Sequence, residues 1–151
     1  MRKKHAISFT LIVVAVLLGL YVFKTKTNSA KLEDKVINTI NKSEAIDFSE
    51  IIDFEWDKLY IIEPYSDVNV LLNKEGISSP NKDYAIKLFD SIYMIAFIND
   101  NKLIQYIDLP TRYITFVEKT DNPVEFKMED SKFNISKENI MLISKSNSTI
   151  K

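Results

Sequence analysis

The chain has 151 residues, of which 46% are hydrophobic and 27% are charged, and its net charge at pH 7 is −1. It contains no cysteine, one histidine (His5) and two glycines (Gly19 and Gly76). These counts exclude a disulfide scaffold, a cysteine nucleophile, a Cys/His zinc site and both common glycine-rich phosphate loops. Beyond residue 24 the only arginine is Arg112, and no basic stripe occurs, so we expect no binding of nucleic acid.

An uncharged, mostly apolar run from Ala6 to Phe23 is the strongest signal in the chain. As a helix these 18 residues would span about 27 Å, close to the roughly 30 Å thickness of a bilayer core. Arg2, Lys3 and Lys4 precede the run, which predicts a cytoplasmic N-terminus (residues 1–5) and an extracytoplasmic C-terminal domain. The prediction is therefore a single-pass protein of the cell membrane.

The same segment has a second interpretation as a cleaved secretory signal. Cleavable signals have a shorter apolar region of about 7–15 residues, followed by small residues at the cut. The only candidate cut lies near Ala30, where Asn28 occupies a position that favours a small residue. This departure favours a retained anchor joined to the domain by a tether (residues 24–28). Cleavage would instead make the protein secreted.

The first element after the tether is predicted to be a helix. From Ser29 onward, Leu32, Val36, Ile37 and Ile40 fall on one helical face. Because the other positions are polar, we expect this helix to pack against the domain rather than to extend the membrane segment as a stalk.

The next elements are a strand and a short helix. Lys58 to Ile62 reads as a strand that Pro64 ends. Ser66 is the predicted cap of a short helix that contains Val68 and Val70 and that Gly76 closes.

Most of the remaining chain is predicted to be β-structure. Ser91 to Ile98 is almost wholly apolar, as expected for a central strand buried on both faces, and a tight turn at residues 99–102 leads to the next strand. The other predicted strands are Leu103–Asp108, Tyr113–Glu118, Val124–Glu129 and Phe133–Ile135, and Ile140–Ile143 is predicted to form a closing element. The predicted fold class is α+β: an N-terminal transmembrane helix, then one small domain (residues 29–145) with an antiparallel meander sheet and one or two short helices packed on it. Residues 146–151 are predicted to form a flexible tail.

The candidate binding residues follow one another along a short acidic and aromatic stretch. Carboxylates beside exposed aromatic rings can bind sugars, and two carboxylates at a suitable spacing can hydrolyse glycosidic bonds. The alternative is structural, with the tryptophan in the core, the flanking acids in water and the Glu-Pro-Tyr sequence at a turn. The candidates are Glu55, Trp56, Asp57, Tyr60, Glu63 and Tyr65.

Other chemistries find less support in the sequence. The acidic residues between Asp47 and Asp57 lack the spacing and the glycine of a calcium loop, so no metal site is predicted. The only histidine precedes the apolar run, so no Ser-His-Asp triad is expected outside the membrane, and no catalytic residue or cofactor is predicted. A set of aromatic residues fits either a binding stripe or sheet packing. The set comprises Tyr84, Tyr93, Tyr106, Tyr113, Phe89, Phe97 and Phe116.

The stretch FEWDKLYIIEPY, within Ile46 to Gly76, resembles a sequence pattern of a known group of proteins. With a helix before it and a short helix after it, it is similar to small, uncharacterised membrane-anchored or lipoprotein-like proteins of Gram-positive bacteria, which share a Trp-Asp-Lys, Tyr, Pro-Tyr pattern. Many of these proteins carry a lipobox cysteine, whereas this chain has a hydrophobic anchor instead. The resemblance implies a location and a fold, and no activity.

Two functions follow as expectations. The first is a non-enzymatic binding module that meets another envelope protein or a wall polymer, and it requires an exposed apolar or aromatic patch on the domain. The second is a carboxylate-dependent hydrolase of cell-wall or other glycans that uses Glu55, Asp57 or Glu63. That function requires a cleft in which two carboxylates lie within catalytic reach.

Overall fold

The computed structural model of the protein describes residues 29–117 and 121–144. The predicted transmembrane segment, the N-terminus before it, the tether and the C-terminal tail all lie outside these residues. Among the residues described, no helix has both the length and the apolar character needed to cross a bilayer. The predicted fold class, which included a transmembrane helix, is corrected accordingly to an α+β domain with mainly antiparallel sheets.

The first helix, α1, covers residues 29–42 and lies along the domain as its spacing predicts. Leu32, Val36 and Ile40 are buried, while Lys31 and Lys35 face solvent. A helix of this length reaches about 21 Å and has only one apolar face, so it is suited to packing against a core and not to crossing lipid. Two shorter helices follow, α2 (Phe48–Ile51) and α3 (Val68–Lys74).

Within residues 29–117 and 121–144, eight strands form three separate sheets. In chain order they are β1 (Ala45–Asp47), β2 (Lys58–Ile62), β3 (Ile92–Asn99), β4 (Lys102–Pro110), β5 (Ile114–Phe116), β6 (Val124–Lys127), β7 (Lys132–Asn134) and β8 (Met141–Ile143). The main sheet has the order β4-β3-β2-β6, and every neighbouring pair in it is antiparallel. Strands β1 and β7 pair antiparallel, whereas β5 and β8 pair parallel.

The single antiparallel meander predicted from the sequence is therefore only partly correct. Strands β2, β3 and β4 do follow one another as a meander, but β6 returns to the free side of β2. The four three-residue strands form two small ladders outside the main sheet. The parallel pairing of β5 with β8 requires a long intervening segment. The sequence of so short a strand does not indicate which other strand it pairs with.

Both faces of the main sheet are covered. Leu59 and Ile61 of β2 point into a core that α1, α2 and the two small ladders close, while Tyr60 and Ile62 point into a second core beneath α3. Strand β3 is buried from Met94 to Ile98, which confirms the prediction of a central strand with two apolar faces.

Helix α3 begins one residue later than predicted. Asp67 is the N-cap and its Oδ1 accepts a hydrogen bond from the Val70 N–H at 3.3 Å. Ser66 is buried, and its hydroxyl accepts a hydrogen bond from the Asn122 side chain at 2.9 Å, so it is engaged elsewhere. The predicted closing residue is correct, because Gly76 has a φ of +72°, in the left-handed region that glycine adopts without strain.

Candidate functional site

The six candidate residues do not form one constellation. Glu55, Trp56 and Asp57 precede β2, whereas Glu63 and Tyr65 follow it. Because β2 is extended, six residue steps of about 3.3 Å separate the Cα atoms of Asp57 and Glu63 by roughly 20 Å. Tyr60 lies within β2, and the other five candidates lie beyond its two opposite ends.

Trp56 is a packing residue of the first core. Its side chain is only 4% exposed, and its ring meets Phe97 edge-on at a centroid distance of 5.6 Å and an angle of 78°. Glu55 beside it is exposed. The structural alternative of the sequence analysis placed the tryptophan in the core and its acidic neighbours in water, and the structure agrees with it. Such a buried indole is not available to stack on a sugar.

Asp57 anchors the turn that joins β3 and β4. Its N–H donates to the Ile98 carbonyl at 2.8 Å, and its Oδ2 accepts from the Asp100 N–H at 3.1 Å. Asp100 and Asn101 form the two-residue turn, with φ angles of 47° and 54°. Two consecutive positive φ angles are typical of a type I′ hairpin, in which Asn and Asp are favoured. The Asp57 carboxylate is thus engaged in holding a hairpin.

Tyr60 is buried in the second core, where it is 2% exposed. Its hydroxyl donates a hydrogen bond to the Glu125 carboxylate on β6, and the Lys58 ammonium lies 3.8 Å from the same carboxylate. Burial, and then the hydrogen bond to Glu125, raise the pKa of Tyr60 above its ordinary value. This hydroxyl therefore keeps its proton and serves to link β2 with β6.

Glu63 and Tyr65 lie in the turn that the Glu-Pro-Tyr sequence predicts. The Glu63 N–H donates to the Asn122 Oδ1 at 3.1 Å, and its side chain is half-buried. Tyr65 has a φ of +61° and is 65% exposed. A bulky aromatic residue rarely adopts this left-handed conformation, and such strain persists where surrounding contacts enforce it. Of the six candidates, Tyr65 alone combines an exposed ring with a constrained backbone.

Two further exposed apolar residues lie on the segment that pairs with Tyr65. Leu88 is 74% exposed and Phe89 is 52% exposed, so Phe89 does not follow the packing interpretation, one of the two that the sequence left open. The Tyr65 N–H donates to the Ile86 carbonyl at 2.9 Å, which brings the two segments together. We call Tyr65, Leu88 and Phe89 the Tyr65 patch. Neither Leu88 nor Phe89 was predicted to be a site residue, because each one falls on an irregular stretch without periodicity.

An ion pair borders the Tyr65 patch. The Lys87 ammonium lies 2.7 Å from the Asp67 Oδ2. The hydrogen bond from Lys87 lowers the pKa of Asp67, and the same bond raises the pKa of Lys87. Both groups therefore remain charged around neutral pH. The pair supplies a second link between the segment that carries Tyr65 and the segment that carries Leu88 and Phe89.

The other tyrosines of the aromatic set mainly pack. Tyr84 and Tyr106 meet edge-on at 5.5 Å, and Tyr93 contacts Phe116 at 5.6 Å. The Lys82 ammonium lies 4.4 Å from the centre of the Tyr106 ring and 4.9 Å from that of Tyr84. These contacts support the packing interpretation of the set.

The carboxylates named for a hydrolase are poorly arranged for that chemistry. Two catalytic carboxyl groups lie about 5 Å apart in retaining enzymes and about 6.5–9.5 Å apart in inverting ones, whereas Glu63 lies at the opposite end of β2 from Glu55 and Asp57. Of the remaining two carboxylates, Glu55 is exposed and Asp57 holds the β3–β4 turn. Burial does raise the pKa of Glu33 on α1 and of Asp108 on β4, and the charge of Asp108 further raises the pKa of Glu33. Neither residue belongs to the predicted set. In the described part of the chain no group of three or more acidic or histidine side chains is placed to hold a metal ion.

Comparisons with known proteins identified no relative of the chain. No family model, no curated protein and no solved structure matches the chain. The candidate site consequently rests on its own geometry.

Proposed function

We propose that the domain is a non-enzymatic binding module of the bacterial cell envelope and that it docks a protein partner through the Tyr65 patch. The observation that carries the proposal is the exposure of three large apolar side chains on two segments that a backbone hydrogen bond and an ion pair hold together. Large exposed apolar side chains on segments that are joined in this way are typical of interaction sites.

The patch has the anatomy of a small protein interface. Tyrosine and phenylalanine are enriched at interface centres, where their rings bury much area at a low entropic cost, and a polar rim surrounds such a centre. Here the Asp67–Lys87 pair provides that rim. The aliphatic Leu88 favours a protein over a polysaccharide at this surface, because a branched alkyl group gains little from hydroxylated ligands.

The constrained backbone at Tyr65 supports the same conclusion. A left-handed conformation costs an ordinary residue roughly 1–2 kcal/mol. The Tyr65 ring is largely solvent-exposed and offsets little of this cost by packing within the domain. Asparagine or glycine would fit the turn with less strain, so a tyrosine at this position is best explained by a contact that its ring makes with a partner.

The proposed location derives from the sequence. The apolar segment Ala6 to Phe23 and the basic residues before it support attachment to the membrane with the domain on the outer side. Because the chain has no cysteine, single cysteines introduced as Lys42→Cys or Lys4→Cys report topology cleanly. A membrane-impermeant maleimide is expected to label the first variant and not the second in intact cells. The reverse pattern would refute the proposed location.

Site-specific crosslinking tests the docking surface. A photoreactive amino acid is placed at Leu88 of the full chain in its membrane, and the control carries it at Val117, which is 63% exposed and lies at the end of β5. Irradiation is expected to give a discrete protein adduct from position 88 that Phe89→Ser abolishes, and no such adduct from position 117. Identical adducts from both positions, or none from position 88, would refute the proposal. An adduct that lysozyme digests would assign the patch to a wall polymer instead.

A further inference from the structure

A concave surface, separate from the Tyr65 patch, lies between α3 and the segment that follows it. The cavity has a volume of about 440 Å³, within the range of ordinary small-molecule sites. Asn69 and Asn73 of α3 and Ser78, Ser79 and Asn81 of the following segment supply its polar lining, and Val70 and Ile77 supply its apolar lining. We infer that this cavity binds an uncharged saccharide unit.

The chemistry of the lining selects the class of ligand. Every polar side chain in it is an amide or a hydroxyl, and none is charged. Amides and hydroxyls both donate and accept hydrogen bonds, as sugar hydroxyls do, so the two sets are complementary. An anionic or cationic ligand would lose hydration here without meeting an opposite charge.

The walls of the cavity are held in place by hydrogen bonds. The Asn69 Nδ2 donates to the Lys82 carbonyl at 2.9 Å, which orients the amide. Its Oδ1 is buried and accepts no hydrogen bond from any residue that the structure describes. The Ile77 N–H donates to the Leu72 carbonyl at 2.8 Å and closes the turn at Gly76. A preorganised polar wall loses less entropy on binding than a mobile one.

The backbone of the second wall argues against a peptide ligand. The Ser78 N–H donates to the Asn101 carbonyl at 2.9 Å, and the Ser78 carbonyl accepts from the Leu103 N–H at 2.9 Å. Extended peptides are usually captured by free backbone groups at a sheet edge. Since both groups of Ser78 already pair with the β3–β4 hairpin, recognition at this wall depends on side chains. This requirement favours a hydroxylated ligand.

Binding of defined oligosaccharides tests the inference. The full chain, in a detergent without a sugar headgroup, is titrated with N,N′-diacetylchitobiose, with cellobiose and with digalacturonate as the charged comparison, and ligand resonances are followed by saturation-transfer NMR. At least one neutral disaccharide is expected to bind, and digalacturonate is expected to bind more weakly. Absence of binding by both neutral sugars up to about 10 mM, or a preference for digalacturonate, would refute the inference.

Matched variants locate the binding. Asn73→Leu removes an exposed amide from the cavity, and Asn134→Leu removes an exposed amide from β7. The first is expected to weaken saccharide binding about tenfold, and the second is expected to leave it unchanged. Equal weakening by both would refute the location. If Asn73→Leu lowers the unfolding midpoint, Ser79→Val replaces it and is expected to weaken binding in the same direction. Tyr65→Asn is expected to leave saccharide binding intact, so this test is independent of the Tyr65 patch.

Discussion

The Asp57 carboxylate accepts a hydrogen bond from the Asp100 N–H at 3.1 Å, although 43 residues separate the two in the chain. This bond ties the start of β2 to the tip of the β3–β4 hairpin. In the sequence, Asp57 beside Trp56 is a candidate residue for sugar binding. In the structure, its carboxylate has a structural role. The same bond yields a direct test of that role.

Asp57→Ala is expected to lower the free energy of unfolding by about 1 kcal/mol, because the Asp100 N–H loses its acceptor. Asp57→Asn retains a side-chain oxygen and is expected to cost less. Glu55→Ala, two residues away on an exposed side chain, serves as the control and is expected to stay within about 0.5 kcal/mol of the parent. Urea unfolding of the three variants measures these values. An equal loss from Glu55→Ala would contradict the assignment.

Trp56→Ala is expected to destabilise the domain by about 3–5 kcal/mol, because it opens a cavity beside Phe97. Trp56→Phe retains part of the ring contact and is expected to cost less. The chain contains one tryptophan, so its fluorescence reports this site alone. We expect blue-shifted emission that iodide quenches poorly. Emission at the wavelength of a solvated indole would show that the ring is not buried.

The raised pKa of Tyr60 predicts that the domain loses stability at alkaline pH. Its pKa is raised above the ordinary value of 10.0 in the folded state, so the unfolded chain releases the proton first as the pH rises. The stabilisation is complete below pH 10 and declines above it. Tyr60→Phe is expected to show a shallower decline of the free energy of unfolding above about pH 10, measured by urea unfolding. Burial also raises the pKa of Tyr84 and Tyr93, so part of the slope is expected to remain. An unchanged slope would indicate that Tyr60 titrates normally.

Tyr65→Asn is expected to raise the free energy of unfolding by roughly 1 kcal/mol, because asparagine tolerates the left-handed conformation better than tyrosine. The exposed ring contributes little packing that the substitution would remove. The same change is expected to abolish the crosslink from position 88. Thermal or urea unfolding supplies the first measurement. A loss of stability of similar size would mean that the ring packs within the domain and is not reserved for a partner.

Elements defined by a local pattern were predicted well. The spacing of Leu32, Val36 and Ile40 identified α1, and the boundaries of β2 were predicted without error. Helix α3 was found, but its cap was assigned to Ser66 instead of Asp67. Both residue types cap helices, and the choice was made by Asn122, which engages the Ser66 hydroxyl from a distant segment.

The candidate site was predicted less completely. Tyr65 was among the candidates, but its partners in the patch, Leu88 and Phe89, were not. They lie more than 20 residues further along the chain, and nothing local marks an apolar side chain as exposed. The bond between Tyr65 and Ile86 brings the two segments together.

The amino-acid sequence by itself determined the α+β class of the domain and the position of most helices and strands, since hydrophobic periodicity is a property of neighbouring residues. Tertiary structure alone decided the parallel pairing of β5 with β8, the link from Tyr60 to Glu125 across 65 residues and the assembly of the Tyr65 patch. Each of these depends on which distant segments pack together. Packing of this kind is determined by the free energy of the whole chain. It therefore cannot be predicted from any single short segment of the sequence.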